Sequence, residues 1–294
     1  MPTRRTVLQL LTAAPVAPAA GTLAATPAEA AVTPARTAAV TPAGRRRGDV
    51  LIRDLTVAVP GLPDVPAYLV LPPVRRSAPA VLFLHWFDPR ATDSDRTEFL
   101  AEATRLAARG VVSLLPQQAF PWAGDPVGDA RDAATVRREL DRMAHAFDAL
   151  LRRPEVDPHR VAVVGHDYGA MYAALLAARD PRVAALAALT ADATWEHWFL
   201  AYWLGYTGDQ ATAYARLFDG LQPVDAVAEV ARRRPVLLQF ADDDQYIDEA
   251  TRERFRAAAP GATIGVHHHA GHQLDLAALT ERTAWLTRVL RLPG

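Results

Sequence analysis

The sequence predicts an α/β fold, with a mostly parallel sheet of eight strands, helices on both faces and a short lid insertion. From residue 79 onward, apolar runs alternate with helical patterns, as they do in parallel sheets. The apolar run 161–164 enters Gly-x-Asp-x-Gly and then a helical pattern. An acidic turn and a histidine-rich turn follow two later strands. In such sheets, active groups collect at the carboxyl ends of the strands.

The N-terminal segment has the plan of an export signal followed by a linker. The pair Arg4-Arg5 precedes an apolar stretch that is too short, and too interrupted by proline, to span a bilayer. Ala-Glu-Ala at 28–30 is a cleavage motif. We therefore expect export by the twin-arginine route, with the protein secreted or held at the cell envelope. The predicted divisions are a signal at 1–30, a flexible linker at 31–48 and a folded domain at 49–294.

Composition limits the partners of this domain. Half of the 294 residues are apolar and 22% are charged, which fits a soluble globular protein with a sizeable core. The formal charge of −1 gives no indication of a nucleic-acid partner. Cysteine is absent, which excludes disulfides, thiolate metal sites and a cysteine nucleophile. We expect a small-molecule substrate, no cofactor and no membrane span in the mature protein.

The strands are predicted from apolar runs and from turn residues. Runs at 50–59 and 67–71, separated by a Pro/Gly turn, predict an antiparallel hairpin at the sheet edge. The run at 80–84 is fully apolar, as a strand covered on both faces must be. The further predicted strands are 111–115, the strand beginning at 160, 183–189, 236–240 and 263–266.

The helices are predicted from apolar residues spaced three and four apart. Gly110 is placed to cap the first helix, and Pro154 and Pro158 bracket the end of the second. The segment 191–231, between two strands, is predicted to be the lid. The predicted helices are 97–109, 133–153, 170–179, 249–258 and 274–290.

The sequence Gly-His-Asp-Tyr-Gly at 165–169 has the form of a nucleophile elbow, a sharp turn between a buried strand and a helix. Glycines two positions to each side of the central residue leave room for the strained turn. The central residue is usually Ser, and here it is Asp167. We take Asp167 as the candidate nucleophile.

A nucleophile at such an elbow needs an acid and a histidine, which follow in that chain order. The run Asp242-Asp243-Asp244 comes after one strand, and Asp244, three residues before an apolar residue, is the expected acid, with Asp242 as the alternative. His272 follows a glycine just before the last helix and is the expected base. The three histidines at 267–269 alternate in direction along a strand, so we expect no metal site there.

At these residues the chain resembles the α/β-hydrolase superfamily, and most closely its dienelactone-hydrolase-like branch, over roughly residues 50–292. The resemblance is carried by the 165–171 motif, by Asp244, by Ala-Gly-His at 270–272 and by the predicted hairpin that leads into Phe-Leu-His-Trp at 83–86. It implies the α/β-hydrolase fold and an oxyanion hole. One oxyanion donor is expected to be the N–H of Tyr168, and the other that of Phe87 or Trp86, since tryptophan replaces the family's glycine.

An aspartate at the elbow indicates a particular chemistry. A carboxylate is ionised at neutral pH and suits displacement at an sp³ carbon, which leaves an ester on the enzyme. His272 would then activate water to hydrolyse that ester. The Gly-His-Asp-aromatic-Gly motif resembles the elbow of epoxide hydrolases and, less closely, of haloalkane dehalogenases. We therefore expect an epoxide or a C–halogen compound as substrate.

Aromatic residues of the lid are expected to contribute to substrate binding. Tyrosines could supply the acid for an epoxide oxygen, and the indole of Trp86 or Trp195 could bind a halide. The alternative is that these aromatic side chains only pack over the sheet. The expected substrate-binding residues are His85, Trp122, Trp195, Trp198, Tyr202 and Tyr206, with Tyr214 as a further lid tyrosine.

Two other functions stay open. A dienelactone-hydrolase-like esterase or lactonase would have to use Asp167 as a base on water. A catalytically inactive binding protein would keep the fold without the reaction, but such a protein has no reason to keep both acid and base partners. Fold alone does not decide among these functions.

Overall fold

The computed structural model describes residues 44–73, 77–87 and 95–293. The expected export signal and most of the expected linker lie outside the described residues. The strands are β1 (Gly44–Arg47), β2 (Val50–Val57), β3 (Val65–Leu71), β4 (Ala78–Leu84), β5 (Val112–Pro116), β6 (Val156–His166), β7 (Ala185–Leu189), β8 (Val236–Ala241) and β9 (Thr263–His267).

These strands form one sheet in the order β1-β2-β3-β5-β4-β6-β7-β8-β9. The pairs from β5 through β4 to β9 are all parallel, and β1, β2, β3 and β5 pair antiparallel. The predicted hairpin is confirmed as β2 and β3, with Leu51 opposite Leu71. The sheet is mostly parallel, as predicted, and the carboxyl ends of β4, β6, β7, β8 and β9 meet at one edge.

The sheet has nine described strands where the sequence predicts eight. The additional strand is β1, which lies in the expected linker and pairs with β2, with Gly44 opposite Arg53. All four of its residues are exposed, and three are arginine. An exposed polar edge strand has no apolar pattern to reveal it, because its pairing is made by the backbone alone.

The helices lie close to their predicted positions. The first begins later than predicted, because Asp95–Thr97 is a separate 3₁₀ turn. Gly110 follows the first helix with φ 87°, which fits its predicted place at the helix end. The helices are α1 (Leu100–Ala107), α2 (Ala130–Leu151), α3 (Tyr168–Arg179), α4 (Trp195–Phe199), α5 (Gly208–Ala215), α6 (Pro223–Ala231), α7 (Glu249–Ala258) and α8 (Leu276–Val289).

The sheet separates two apolar layers. On one face α2, α3, α6 and α7 contribute buried residues such as Phe147, Met171 and Phe255. On the other face α1 and α8 cover the sheet with residues such as Leu106 and Trp285. The prediction of helices on both faces is confirmed. No helix in the described part of the chain combines the length and the apolar character needed to cross a bilayer.

The predicted lid, 191–231, divides into two parts. Residues from α4 to the 3₁₀ turn Arg216–Phe218 form the insertion over the sheet edge, with a π-helical turn at Leu200–Leu204. The last part, α6, packs against α3 and belongs to the helix layer of the sheet. The lid proper is therefore shorter than predicted.

Candidate active site

Asp167 has the strained backbone conformation that the motif predicts. Its φ of 58° and ψ of −126° place it between the end of β6 and the start of α3. A Cβ on Gly165 would lie 2.3 Å from the carbonyl oxygen of Gly169, and one on Gly169 would lie 2.2 Å from that of Leu84. Only glycine fits at either position, because the clashing atoms belong to the backbone. The turn brings Asp167 against the end of β4.

Asp167, His272 and Asp244 come together at the carboxyl edge of the sheet. The Nε2 atom of His272 lies 3.5 Å from Oδ1 of Asp167. Its Nδ1 atom lies 2.9 and 3.0 Å from the two carboxylate oxygens of Asp244. All three side chains are at least nine-tenths buried. The three residues therefore have the arrangement of nucleophile, base and acid that their chain order predicts.

In the acidic turn after β8, the side chains of Asp242 and Asp244 make different contacts. The side chain of Asp244 is fully buried and accepts the N–H of Tyr246 at 2.8 Å, which fixes it toward His272. Asp242, the alternative acid, instead accepts hydrogen bonds from His268 and from the backbone of His269, each at 2.7 Å. Asp244 is thus the candidate acid, and Asp242 holds the histidine-rich turn.

His272 lies between two carboxylates. Burial by itself would lower its pKa, but the hydrogen bonds to Asp167 and then to Asp244 outweigh burial and raise the pKa from 6.5 to about 9. At neutral pH the ring is therefore an imidazolium while Asp167 carries its charge. A change in the charge of Asp167 will change the basicity of His272.

The expected oxyanion donors, the N–H groups of Trp86, Phe87 and Tyr168, differ in what they face. The N–H of Phe87 donates to Oδ2 of Asp167 at 3.0 Å. The N–H of Trp86 donates instead to Oε2 of Glu98 at 2.6 Å, so it is directed away from the candidate nucleophile. Tyr168 is the first residue of α3, where N–H groups have no partner one turn earlier. Phe87 and Tyr168 are the candidate donors.

His85 and Trp122, expected to bind substrate, both contact the backbone carbonyl of Trp86. The Nδ1 atom of His85 is 2.9 Å from this oxygen, and Trp122 donates its indole N–H at 3.0 Å. The other ring nitrogen of His85 accepts the N–H of Gln118 at 2.9 Å, and burial lowers its pKa to about 4. Both residues thus orient the peptide whose N–H, on Phe87, faces Asp167.

The lid aromatics take different positions. Trp195 is fully buried against Tyr168 and Tyr172. Trp198 packs edge-on against His272 at 6.2 Å between ring centroids. Tyr202 is 39% exposed, and burial followed by nearby groups that include Asp244 and Asp167 raises its pKa. Of the expected lid residues, Trp198 and Tyr202 are therefore the ones placed at the site.

The remaining lid tyrosines attach the insertion to the N-terminal end of α2 and to the residue Gly128 just before it. Tyr206 donates its hydroxyl to the carbonyl of Gly128 at 3.4 Å, and Tyr214 donates to the carboxylate of Asp132 at 2.7 Å. Neither hydroxyl is directed at Asp167.

Sequence reasoning missed Glu98 and His166. His166 stands inside the elbow motif, but its neighbours in space are far apart in the chain. Its Nδ1 atom is 2.6 Å from the carboxylate of Glu98, and its Nε2 atom is 2.9 Å from the carbonyl oxygen of His272. No spacing rule reveals such contacts. The only signal available was a polar side chain in an otherwise apolar strand end.

The histidine-rich turn has the partners of a structural element. His267 contacts Glu281 at 3.1 Å, and His268 contacts Asp242. Within the described ranges there is no group of three side chains suited to holding a metal ion.

Three solved structures illustrate the likeness in fold. An acetyl xylan esterase from Paenibacillus sp. R4 is 15% identical, with a TM-score of 0.68, and the match covers 87% of this chain and 88% of that one. A candidate dienelactone hydrolase from Klebsiella pneumoniae subsp. pneumoniae is 17% identical, with a TM-score of 0.60 and coverage of 82% and 98%. Est1E from Butyrivibrio proteoclasticus is 15% identical, with a TM-score of 0.59 and coverage of 81% and 97%. These likenesses support the α/β-hydrolase fold.

The sequence itself carries the family assignment. No curated protein matches it significantly. The family model described as "Dienelactone hydrolase family" matches residues 65–275, which is more than half of the chain and includes Asp167, Asp244 and His272. The chain is therefore a hydrolase of the α/β-hydrolase fold and belongs to the dienelactone hydrolase family.

Proposed function

We propose that the protein hydrolyses a small organic substrate through an ester formed on Asp167. The carboxylate attacks an electrophilic sp³ carbon of the substrate, which is an epoxide or a C–halogen compound. One observation carries this proposal. Oδ2 of Asp167 already accepts the N–H of Phe87 at 3.0 Å, while Oδ1 is on the side of His272. A substrate carbonyl would have to displace Asp167 from that donor, whereas an ester on Oδ1 keeps the contact.

In the first step, Oδ1 of Asp167 attacks the carbon. The new C–O bond forms as the epoxide C–O bond or the C–halogen bond breaks, and the electron pair leaves with the oxygen or the halide. Oδ2 becomes the carbonyl oxygen of the ester and stays at the N–H of Phe87. This step needs no proton transfer between His272 and Asp167, because a carboxylate attacks in its ionised form.

The second step uses the charge dependence of His272. Esterification removes the negative charge of Asp167. The hydrogen bond to Asp167 raises the pKa of His272 more than the hydrogen bond to Asp244 does. The pKa falls, and the imidazolium gives its proton to the epoxide oxygen or, after halide loss, to solvent. The neutral ring, oriented by Asp244, takes a proton from water. The hydroxide adds to Cγ of Asp167, and the alcohol leaves as Asp167 regains its charge.

The test is to trap the ester. His272→Gln lacks the base, so an alkylated Asp167 is expected to accumulate when the variant is incubated with epoxides and haloalkanes. Intact mass should increase by the added substrate group, and peptide mapping should locate it at Asp167. The double variant Asp167→Asn, His272→Gln is the matched control and should gain no mass. Absence of an adduct across the panel contradicts the covalent mechanism.

A second candidate function is favoured by the comparisons. The family match and the esterase neighbours favour a carboxylic ester or a lactone over an epoxide or a halide as substrate class. In this reaction Asp167 would act as the base on water, and the imidazolium of His272 would donate a proton to the leaving oxygen. The same experiment separates the two. Turnover of esters or lactones by the wild type, with no adduct in His272→Gln, would support this second function.

We also propose that the protein is exported. The support is the twin-arginine pattern and the Ala-Glu-Ala motif at 28–30. N-terminal sequencing of the protein from its native cells is expected to give a start near residue 31. A start near Met1 would contradict export with cleavage.

A further inference from the structure

Glu98 joins three loops of the candidate site through one carboxylate. Its Oε2 atom accepts the N–H of Trp86 at 2.6 Å, and its Oε1 atom is 2.6 Å from Nδ1 of His166. His166 continues the connection, because its Nε2 atom is 2.9 Å from the carbonyl oxygen of His272. The oxyanion loop, the elbow and the loop of the candidate base are therefore tied together.

The His166 ring is hydrogen-bonded through both of its nitrogens. A backbone carbonyl lies at Nε2, so Nε2 carries a hydrogen, and one further proton lies between Nδ1 and the Glu98 carboxylate. The ring plane lies parallel to the Trp86 indole, with centroids 5.3 Å apart and an interplanar angle of 6°. Glu98 and His166 thus form a largely buried hydrogen-bonded pair.

The pair acts on the two groups that hydrolysis of the ester requires. Glu98 accepts the N–H of Trp86 and so fixes the peptide between His85 and Trp86. The next peptide carries the N–H of Phe87, which faces Asp167. By holding the carbonyl of His272, His166 fixes the backbone of the candidate base. The His166 and His272 rings also stack, with centroids 5.4 Å apart. Neither Glu98 nor His166 contacts Oδ1 of Asp167 in any described interaction.

We propose that Glu98 and His166 are positioning residues for the second chemical step, the hydrolysis of the aspartyl ester. This rests on the covalent mechanism proposed above. The first step needs only the oxygen of Asp167 and the substrate carbon. The second step builds a tetrahedral oxyanion and needs both a correctly placed donor and a correctly placed base. Loss of the Glu98–His166 pair should therefore slow the second step selectively.

The kinetic test is Glu98→Gln, whose single side-chain carbonyl cannot accept both hydrogen bonds. We expect kcat to fall by about tenfold to a hundredfold. KM should fall by a similar factor, because the ester accumulates, and kcat/KM should stay within about threefold of the wild type. Intact mass should show the adduct during turnover. An equal fall in kcat and kcat/KM with KM unchanged would overturn the proposal, since a merely damaged fold gives that result.

A matched control is available one turn along α1. Glu102 is also a largely buried glutamate, but it binds Arg282 at 2.7 Å. Glu102→Gln should lower the stability of the fold and leave KM and kcat/KM of the folded fraction unchanged. If Glu102→Gln reproduces the fall in KM, the effect does not come from the site and the proposal is wrong.

A second readout needs no substrate. In ¹⁵N-labelled wild type, His166, assigned by comparison with His166→Gln, should show a hydrogen on Nε2 and a hydrogen-bonded proton between Nδ1 and Glu98, and Glu98→Gln should lose the second signal. Absence of that second signal in the wild type would overturn the proposed hydrogen bonds. Failure of the covalent mechanism appears separately, as the absence of any adduct in His272→Gln.

Discussion

At the scale of single residues, Asp242 and Asp244 show how position decides the role of a carboxylate. The two stand in one turn, yet the side chain of Asp244 is fully buried against His272 while that of Asp242 is 31% exposed beside His268. A buried carboxylate can fix the tautomer and the orientation of a histidine, and an exposed one is screened by water. The difference makes the two residues a natural matched pair for mutation.

Asp244→Asn is expected to lower kcat by about a hundredfold to ten-thousandfold, because an amide at this position no longer stabilises the imidazolium or selects the tautomer. Asp242→Asn should change kcat by less than about threefold, since it contacts only the histidine-rich turn. Steady-state rates on the substrate identified by the mass experiment would measure both. Equal losses in the two variants would contradict the assignment of Asp244 as the acid.

The charge coupling between Asp167 and His272 can be measured directly. Asp167→Asn removes the carboxylate whose hydrogen bond raises the pKa of His272 the most. The pKa of His272 should therefore fall from about 9 toward its ordinary value. Titration of the ring by NMR gives the shift. Asp242→Asn, which does not contact His272, should leave the titration where it is in the wild type. An unchanged pKa in Asp167→Asn would remove the proposed switch from acid to base.

The residues of the site differ in how far the sequence reveals them. Chain order predicts Asp167, Asp244 and His272, because the fold delivers each at the end of a particular strand. The roles of Glu98 and His166 depend on contacts across 68 and 106 positions, which local patterns do not encode. The sequence also does not show that Trp195 is buried. A tryptophan that faces a substrate and a tryptophan that packs in the core look the same in a sequence.

At the scale of elements, the elbow depends on close backbone packing between α3 and its two neighbouring strands. The sequence predicted the strand, the turn and the helix correctly, because two glycines and an apolar run are local signals. The lid and β1 were predicted less well. The sequence pattern could not show that α6 belongs to the helix layer or that Gly44–Arg47 pairs with β2. Both depend on which surface the segment meets.

Gly169→Ala tests the elbow packing. The added Cβ would lie 2.2 Å from the carbonyl oxygen of Leu84, and a backbone atom cannot move aside without shifting β4. We expect a loss of about 1–3 kcal/mol in the free energy of unfolding, measured in urea. Gly261→Ala, whose Cβ would meet its nearest atom at 3.5 Å, should cost less than about 1 kcal/mol. Similar losses in the two variants would show that the approach of α3 to β4 is not tight.

At the scale of the whole molecule, folding brings the candidate site together from four strands of the sheet. The loop after β4 carries Phe87, the turn after β6 carries Asp167, and the loops after β8 and β9 carry Asp244 and His272; these strands are adjacent or nearly so in the sheet order. The site forms only when the sheet forms, so its electrostatics contribute to global stability. His272 makes this coupling measurable, because its pKa is far from the value of an exposed histidine.

The pH dependence of stability should therefore carry the signature of His272. Its pKa is about 9 in the folded protein and 6.5 as its ordinary value, so the folded state binds the proton more tightly. The resulting stabilisation is fully present below about pH 6.5 and is lost as the pH rises through 9, with a size on the order of 3 kcal/mol. Subtracting the unfolding free energy of His272→Gln from that of the wild type cancels most other titrating groups. The difference should shrink between pH 6 and pH 9.5, and a difference that stays constant across this range would show that His272 is not held as an imidazolium between Asp167 and Asp244.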